Sequence, residues 1–235
     1  MKLAPRIQFC APDLAVASIA LKKTPAKETT FSGTLTSLSE SGRLLEQSVL
    51  MDFANCQTDQ AAIQRFLRMH GPPMFQIETQ DKPSFAFLHS MWLSLQKQFQ
   101  VCWDGIIGNA GKHEPYRSLG VALEPWRRST ANGIFEMRAG GLVYISNDLY
   151  GAMIPLLLSL HEIARRCLNP ECKVTPYFFA GHKRQQYCSE TCAAWAQKQW
   201  KKQWWKDRGP DWQQSKRTGA TPKKTEGTNG TDETR

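Results

Sequence analysis

Apolar positions along the chain recur with two periods, and each period predicts a kind of element. Residues 1–30 carry no sustained pattern, end in the polar stretch Lys22 to Thr30, and read as loosely structured. Phe31 to Leu38 alternates apolar and polar positions, which predicts a strand. Ser48 to Ala54 is nearly continuous in apolar residues and reads as a buried strand, interrupted by Asp52. Thr58 or Asp59 then caps a helix on which Ile63, Phe66 and Leu67 keep helical spacing, with His70 on the same face; Gly71-Pro72-Pro73 stops it. A second amphipathic helix is predicted from Ser84 to about Trp103, with a stripe of Phe87, Leu88, Met91, Trp92, Leu95 and Phe99 that suits core packing.

Residues 104–132 are loop-rich. Beyond them, Gly133 to Arg138 and Leu142 to Ser146 flank Ala139-Gly140-Gly141, the pattern of a β-hairpin. Asn147 or Asp148 can cap a leucine-rich helix through Arg166, kinked at or starting near Pro155. That helix would run without a linker into the first of four closely placed cysteines. From Gly209 onward the residues lack periodicity and read as a disordered tail. The fold class expected is α+β: a loose N-terminus (1–30), a mixed domain (31–165), a small zinc finger of treble-clef type (166–208) and the tail (209–235).

The four cysteines carry the strongest chemical signal. Cys167 and Cys172 are separated by Leu-Asn-Pro-Glu, and Cys188 and Cys192 by Ser-Glu-Thr. Two close pairs separated by a hairpin are what tetrahedral zinc requires, each pair offering two thiolates from one bend. Lys173 to Phe179 is strand-like, Ala180 to Arg184 reads as a turn, and Gln185 to Tyr187 returns to the second pair. Ser189 can cap a helix running to about Lys206, with Cys192 in its first turn, where free amides favour a thiolate. His182 is a conceivable substitute ligand, but beside Lys183 and Arg184 a solvated turn residue fits better. Four thiolates fill the zinc shell and leave no place for a reactive water, so the expected ion is structural.

Composition adds location and charge. Of seven cysteines, Cys10, Cys56 and Cys102 are scattered and read as small buried hydrophobes. Free thiols fit a reducing cytoplasm. No apolar run approaches a membrane span, and Pro5, Pro12 and Asp13 break the approach to Leu14–Leu21, which argues against a signal peptide. The net charge is +9, yet residues 1–160 hold 15 Lys/Arg against 13 Asp/Glu while residues 161–217 hold 12 against 5. The basic excess belongs to the finger and its flanks, where a polyanion would dock.

On a helical wheel, Ala193, Ala196, Trp200 and Trp204 share one face after Cys192, expected to pack inward. Lys198, Lys201, Lys202 and Lys206 occupy much of the other, with Trp195 and Trp205 among them, and suit phosphates and stacked bases. Arg165, Arg166, Lys183 and Arg184 extend the candidate contact set. A solvated lysine face that binds nothing is the plainer alternative.

Cys167-Leu-Asn-Pro-Glu-Cys172, the aromatic hairpin and Tyr187-Cys188-Ser189 together resemble the CGNR zinc finger of bacterial proteins. In that family the finger follows an α/β domain named ABATE, and the pair is described as a transcription regulator. Leu50-Met51-Asp52-Phe53-Ala54-Asn55 is similar to the strand-and-Asn segment near the start of ABATE domains, and the resemblance covers most of residues 45–205. It implies that Cys167, Cys172, Cys188 and Cys192 hold one Zn2+. The naming motif is replaced by Cys192-Ala193-Ala194-Trp195, with three residues rather than four inside the last pair, so any role of Gly-Asn-Arg does not carry over.

No enzyme motif is complete. His161-Glu162-Ile163-Ala164-Arg165 begins like the zinc-protease helix motif but has arginine where the second histidine belongs. Asp52 beside Asn55 fits a hydrogen-bonded structural carboxylate better than a ligand pocket. The function expected is therefore non-enzymatic: a cytoplasmic regulator binding double-stranded DNA. Its N-terminal domain could dimerise or take a small-molecule effector. A zinc-stapled protein-interaction module and an RNA-binding protein remain alternatives.

Overall fold

A computed structural model describes residues 8–25, 28–73, 84–108, 133–138 and 141–218. The architecture is mixed α/β. The chain opens with a long hairpin, β1 (Gln8–Lys23) against β2 (Thr29–Leu44), antiparallel in register from Cys10↔Leu44 to Lys23↔Thr29. The N-terminal region expected to be loose is thus largely a strand. Bulges around Asp13 and Val16 interrupt its alternation, which hides the pattern from a period-2 reading.

Helices α1 (Gln47–Asn55) and α2 (Gln60–His70) follow. The segment expected as a buried strand at Ser48–Ala54 is α1, and its buried residues Val49, Leu50, Phe53 and Ala54 fall at i, i+1, i+4 and i+5, a helical period. Asp59 caps α2 by accepting from the Ala62 amide at 2.9 Å, and Gly71 ends it at φ 80°, a left-handed conformation glycine takes freely. The single helix expected from Ser84 divides into β3 (Ser84–Leu88) and α3 (His89–Gly108). Phe85 and Phe87 alternate inward as β3 pairs with β2.

β4 (Ile134–Arg138) and β5 (Gly141–Ile145) form the expected hairpin, its turn lying outside the described residues along with most of the loop-rich segment. The sheet order is β3-β2-β1-β5-β4, with β1 parallel to β5 and the other pairs antiparallel. Helix α4 (Leu149–Ser159) is capped by Asp148, whose carboxylate accepts from the Gly151 amide, and contains Pro155. It ends seven residues before the expected Arg166. The polar run after it turns back, and Ala164–Arg166 becomes β6, paired with β7 (Tyr177–Phe179). Phe53 lies at the centre of the core, with the rings of Trp92, Phe99 and Phe66 at 5.1, 5.4 and 5.5 Å.

The β6–β7 hairpin is joined to this core through α1 and α3. Trp103 packs on Phe179 and Tyr177, with ring centroids 4.8 and 5.6 Å apart. Asn55, from the last turn of α1, accepts from the Tyr177 amide at 3.0 Å and donates to its carbonyl at 2.7 Å. One side-chain amide thereby satisfies both backbone groups of a residue 122 positions away. Consistent with this, the first compact unit runs to Cys188 and the second begins at Ser189.

The second unit holds α5 (Glu190–Thr218). Ser189 caps it, its hydroxyl accepting from the Cys192 amide at 3.3 Å. The helix passes through Gly209-Pro210, so the segment expected to be a disordered tail is helical to Thr218; residues 219–235 lie outside the described residues. Among the described residues, no helix is long and apolar enough to cross a membrane.

Candidate metal centre and basic helix face

The four cysteine sulfurs all lie within 4.8 Å of one another, with Cys172 Sγ and Cys188 Sγ 3.5 Å apart. Four Zn–S bonds of about 2.3 Å place tetrahedral sulfurs about 3.8 Å apart, so this donor set fits a thiolate-bound metal ion. None of the seven cysteines is in a disulfide.

Local hydrogen bonds fix the two bends. The Asn169 side chain accepts from the Glu171 amide and its carbonyl accepts from the Cys172 amide, each at 3.0 Å, closing the loop between the first two cysteines. The Cys167 amide donates to Pro176 at 2.8 Å and the Leu168 amide to Gln186 at 3.1 Å. In the turn, Gln185 accepts from Gly181 and donates to Tyr187. His182 is exposed in that turn and is not one of the clustered ligands. Burial pushes the thiols of Cys102 and Cys56 up to about 11. They stay protonated near neutrality and are poor ligands, consistent with the packing role read from their scatter.

The eight basic candidates separate into two groups. Arg165 donates to the Ala164 carbonyl at 2.7 Å, and Arg166 pairs with Asp104 at 3.2 Å while lying 5.7 Å over the Tyr177 ring. Both arginines are occupied by their own unit. Lys183 and Arg184 are exposed in the turn after β7, where the expected return strand Gln185–Tyr187 does not form, and Lys198, Lys201, Lys202 and Lys206 are exposed on α5.

Helical spacing puts more on that face than the wheel to Lys206 included. Lys198, Lys201, Lys202, Trp205, Arg208, Trp212 and Lys216 fall within an arc of about 120°, along about 27 Å of helix. Asp207 and Asp211 lie on the opposite half. Gln203 donates to both oxygens of Asp207, at 2.8 and 2.9 Å, holding that acid away from the lysines. Arg208, Trp212 and Lys216 lie beyond Lys206, where the sequence reading ends the helix, and the last two fall in the segment read as a tail for its lack of periodicity.

Tryptophan placement departs from expectation. Trp200, expected to pack inward, is 66% exposed, whereas Trp204 is half-buried. Trp205 meets Trp204 and Trp212 edge to face at 5.1 and 5.6 Å, and the Lys216 ammonium sits 4.3 Å over the Trp212 ring. Beside Trp205 is a groove of about 510 Å³ lined by Ala194, Gln197, Lys198, Lys201 and Lys202.

A second groove, of about 370 Å³, lies in the first unit between α1, α2 and the loop before β7, with Met51, Asp52, Arg65, Met69 and Val174 in its walls. Asp52 is on the outward side of α1 and accepts from His70 Nε2 at 2.8 Å, not in a buried strand. His161 is exposed and donates from Nδ1 to the Leu158 carbonyl at 2.9 Å. Compared with known proteins, the chain matches no family model and no curated relative.

Proposed function

We propose that the chain is a DNA-binding regulator in which one structural Zn2+, held by Cys167, Cys172, Cys188 and Cys192, fixes the start of α5 for contact with phosphates. The observation that carries this reading is the separation of charge from Lys198 onward on α5: Lys198, Lys201, Lys202, Arg208 and Lys216 on one exposed arc, Asp207 and Asp211 on the opposite half. A helix that is merely solvated has no need to sort its charges this way. Lysine supplies a point charge suited to phosphate and carries little base information, so the contacts give affinity first and specificity second. The resemblance to the CGNR finger agrees with this class of function, although the residues that name that motif are absent.

The test is the double variant Lys201→Ala/Lys202→Ala. Its affinity for DNA should fall about tenfold, and its dependence on log salt should flatten by about two. Unchanged affinity would defeat the assignment. Retention of a protein partner, indifferent to salt, would favour the interaction-module alternative, for which Trp200 offers the exposed apolar contact.

A further inference from the structure

The groove on α5 combines an aromatic wall with cationic rims. Lys198 and Lys202 stand one turn apart, Lys201 between them, and Trp205 one turn beyond Lys201. Trp205 is 48% exposed, a costly way to place the largest apolar side chain unless something covers it. Its position is set by the backbone: a Cβ built on Gly209 would stand 2.7 Å from the indole Cε3. Only glycine lets the ring settle against the helix there. Gly209 therefore seats the indole beside the lysines, at a cost in helix propensity.

We propose that this groove takes an unpaired nucleobase stacked on Trp205, with the adjoining phosphates on Lys198, Lys201 and Lys202, so that α5 binds single-stranded DNA in preference to duplex. This rests on the reading of α5 as the nucleic-acid surface and names the form of DNA it takes. The chemistry follows from what each form exposes. In a duplex both faces of every base are covered by neighbours, so stacking on Trp205 would require unstacking first. In a single strand the faces are free, and a basic groove with an aromatic platform is the common solution for holding them. The lining residues all lie on one face of α5, so the site is an open platform that a strand can lie along. Trp212, edge-on to Trp205 and topped by Lys216, continues the same surface along the strand's path.

The experiment is fluorescence anisotropy with the full zinc-loaded chain, comparing a mixed-sequence single strand of about 12 nucleotides with its duplex. The single strand should bind about tenfold tighter and quench indole fluorescence. Trp205→Leu should lose about tenfold on the single strand and less than about twofold on the duplex, while Trp205→Phe keeps most of the affinity. Gly209→Ala serves as the folding control: helix content should hold or rise, yet single-strand affinity should fall because the indole must move. Equal binding of both forms, or a Trp205→Leu variant indistinguishable from wild type, overturns the proposal and leaves the phosphate-binding reading standing. Binding of neither form overturns both.

Discussion

Trp92 and Trp103 are fully buried in the first unit, packed with Phe53, Phe66 and Phe99, whereas Trp200, Trp205 and Trp212 in the second unit are 66%, 48% and 37% exposed. The same residue type serves opposite ends in the two regions. In the first, aromatic area removed from water is what holds sheet and helices together. In the second, a single helix keeps its shape through backbone hydrogen bonds, the Ser189 cap and ring pairs along its own surface. Burial thus separates tryptophans enclosed in a core from tryptophans that stay in contact with water, a distinction that composition alone does not make.

The comparison can be broken most decisively at the cysteines. Removing the proposed zinc with a strong chelator should cost the Cys167–Cys192 segment on the order of 10 kcal/mol, seen as loss of hydrogen-exchange protection there. Phe53→Ala should destabilise the first unit by about 3–5 kcal/mol in chemical denaturation, because four rings from three helices, α2, α3 and α4, converge on that ring. Asn55→Leu leaves the Tyr177 amide and carbonyl without their shared partner. It should cost about 2–4 kcal/mol and accelerate exchange at the Tyr177 amide. Trp200→Ala, by contrast, should change stability by less than about 0.5 kcal/mol in the same denaturation. A large loss there would mean that Trp200 is held by packing despite its exposure and would erase the contrast.

What the sequence made legible follows from the range of the interactions involved. The cysteine cluster was readable because metal spacing is local within each pair, and α2 because Asp59, its apolar stripe and Gly71 all lie on one short segment. The α1 helix was misread because Ser48–Ala54 is apolar almost throughout; only the inward positions of Val49, Leu50, Phe53 and Ala54 reveal its period. The end of α4 and the β6 strand depend on pairing with Tyr177–Phe179, which no local rule supplies. The Asn55 clamp is longer in range still. The continuation of α5 past Gly209-Pro210 was hidden because the segment from Gly209 shows no apolar periodicity, whereas Trp205 and Trp212 pair across it on one helix face.

The claim that joins these regions is that the metal-fixed helix presents its basic face to DNA. The most direct measurement is sequencing of sheared genomic DNA retained by the zinc-loaded full chain at near-physiological salt. The account predicts retained fragments whose binding weakens as salt rises. Retention indifferent to salt, or no retention at all, would contradict the account, and an enriched motif among the retained fragments would add base recognition to the phosphate contacts.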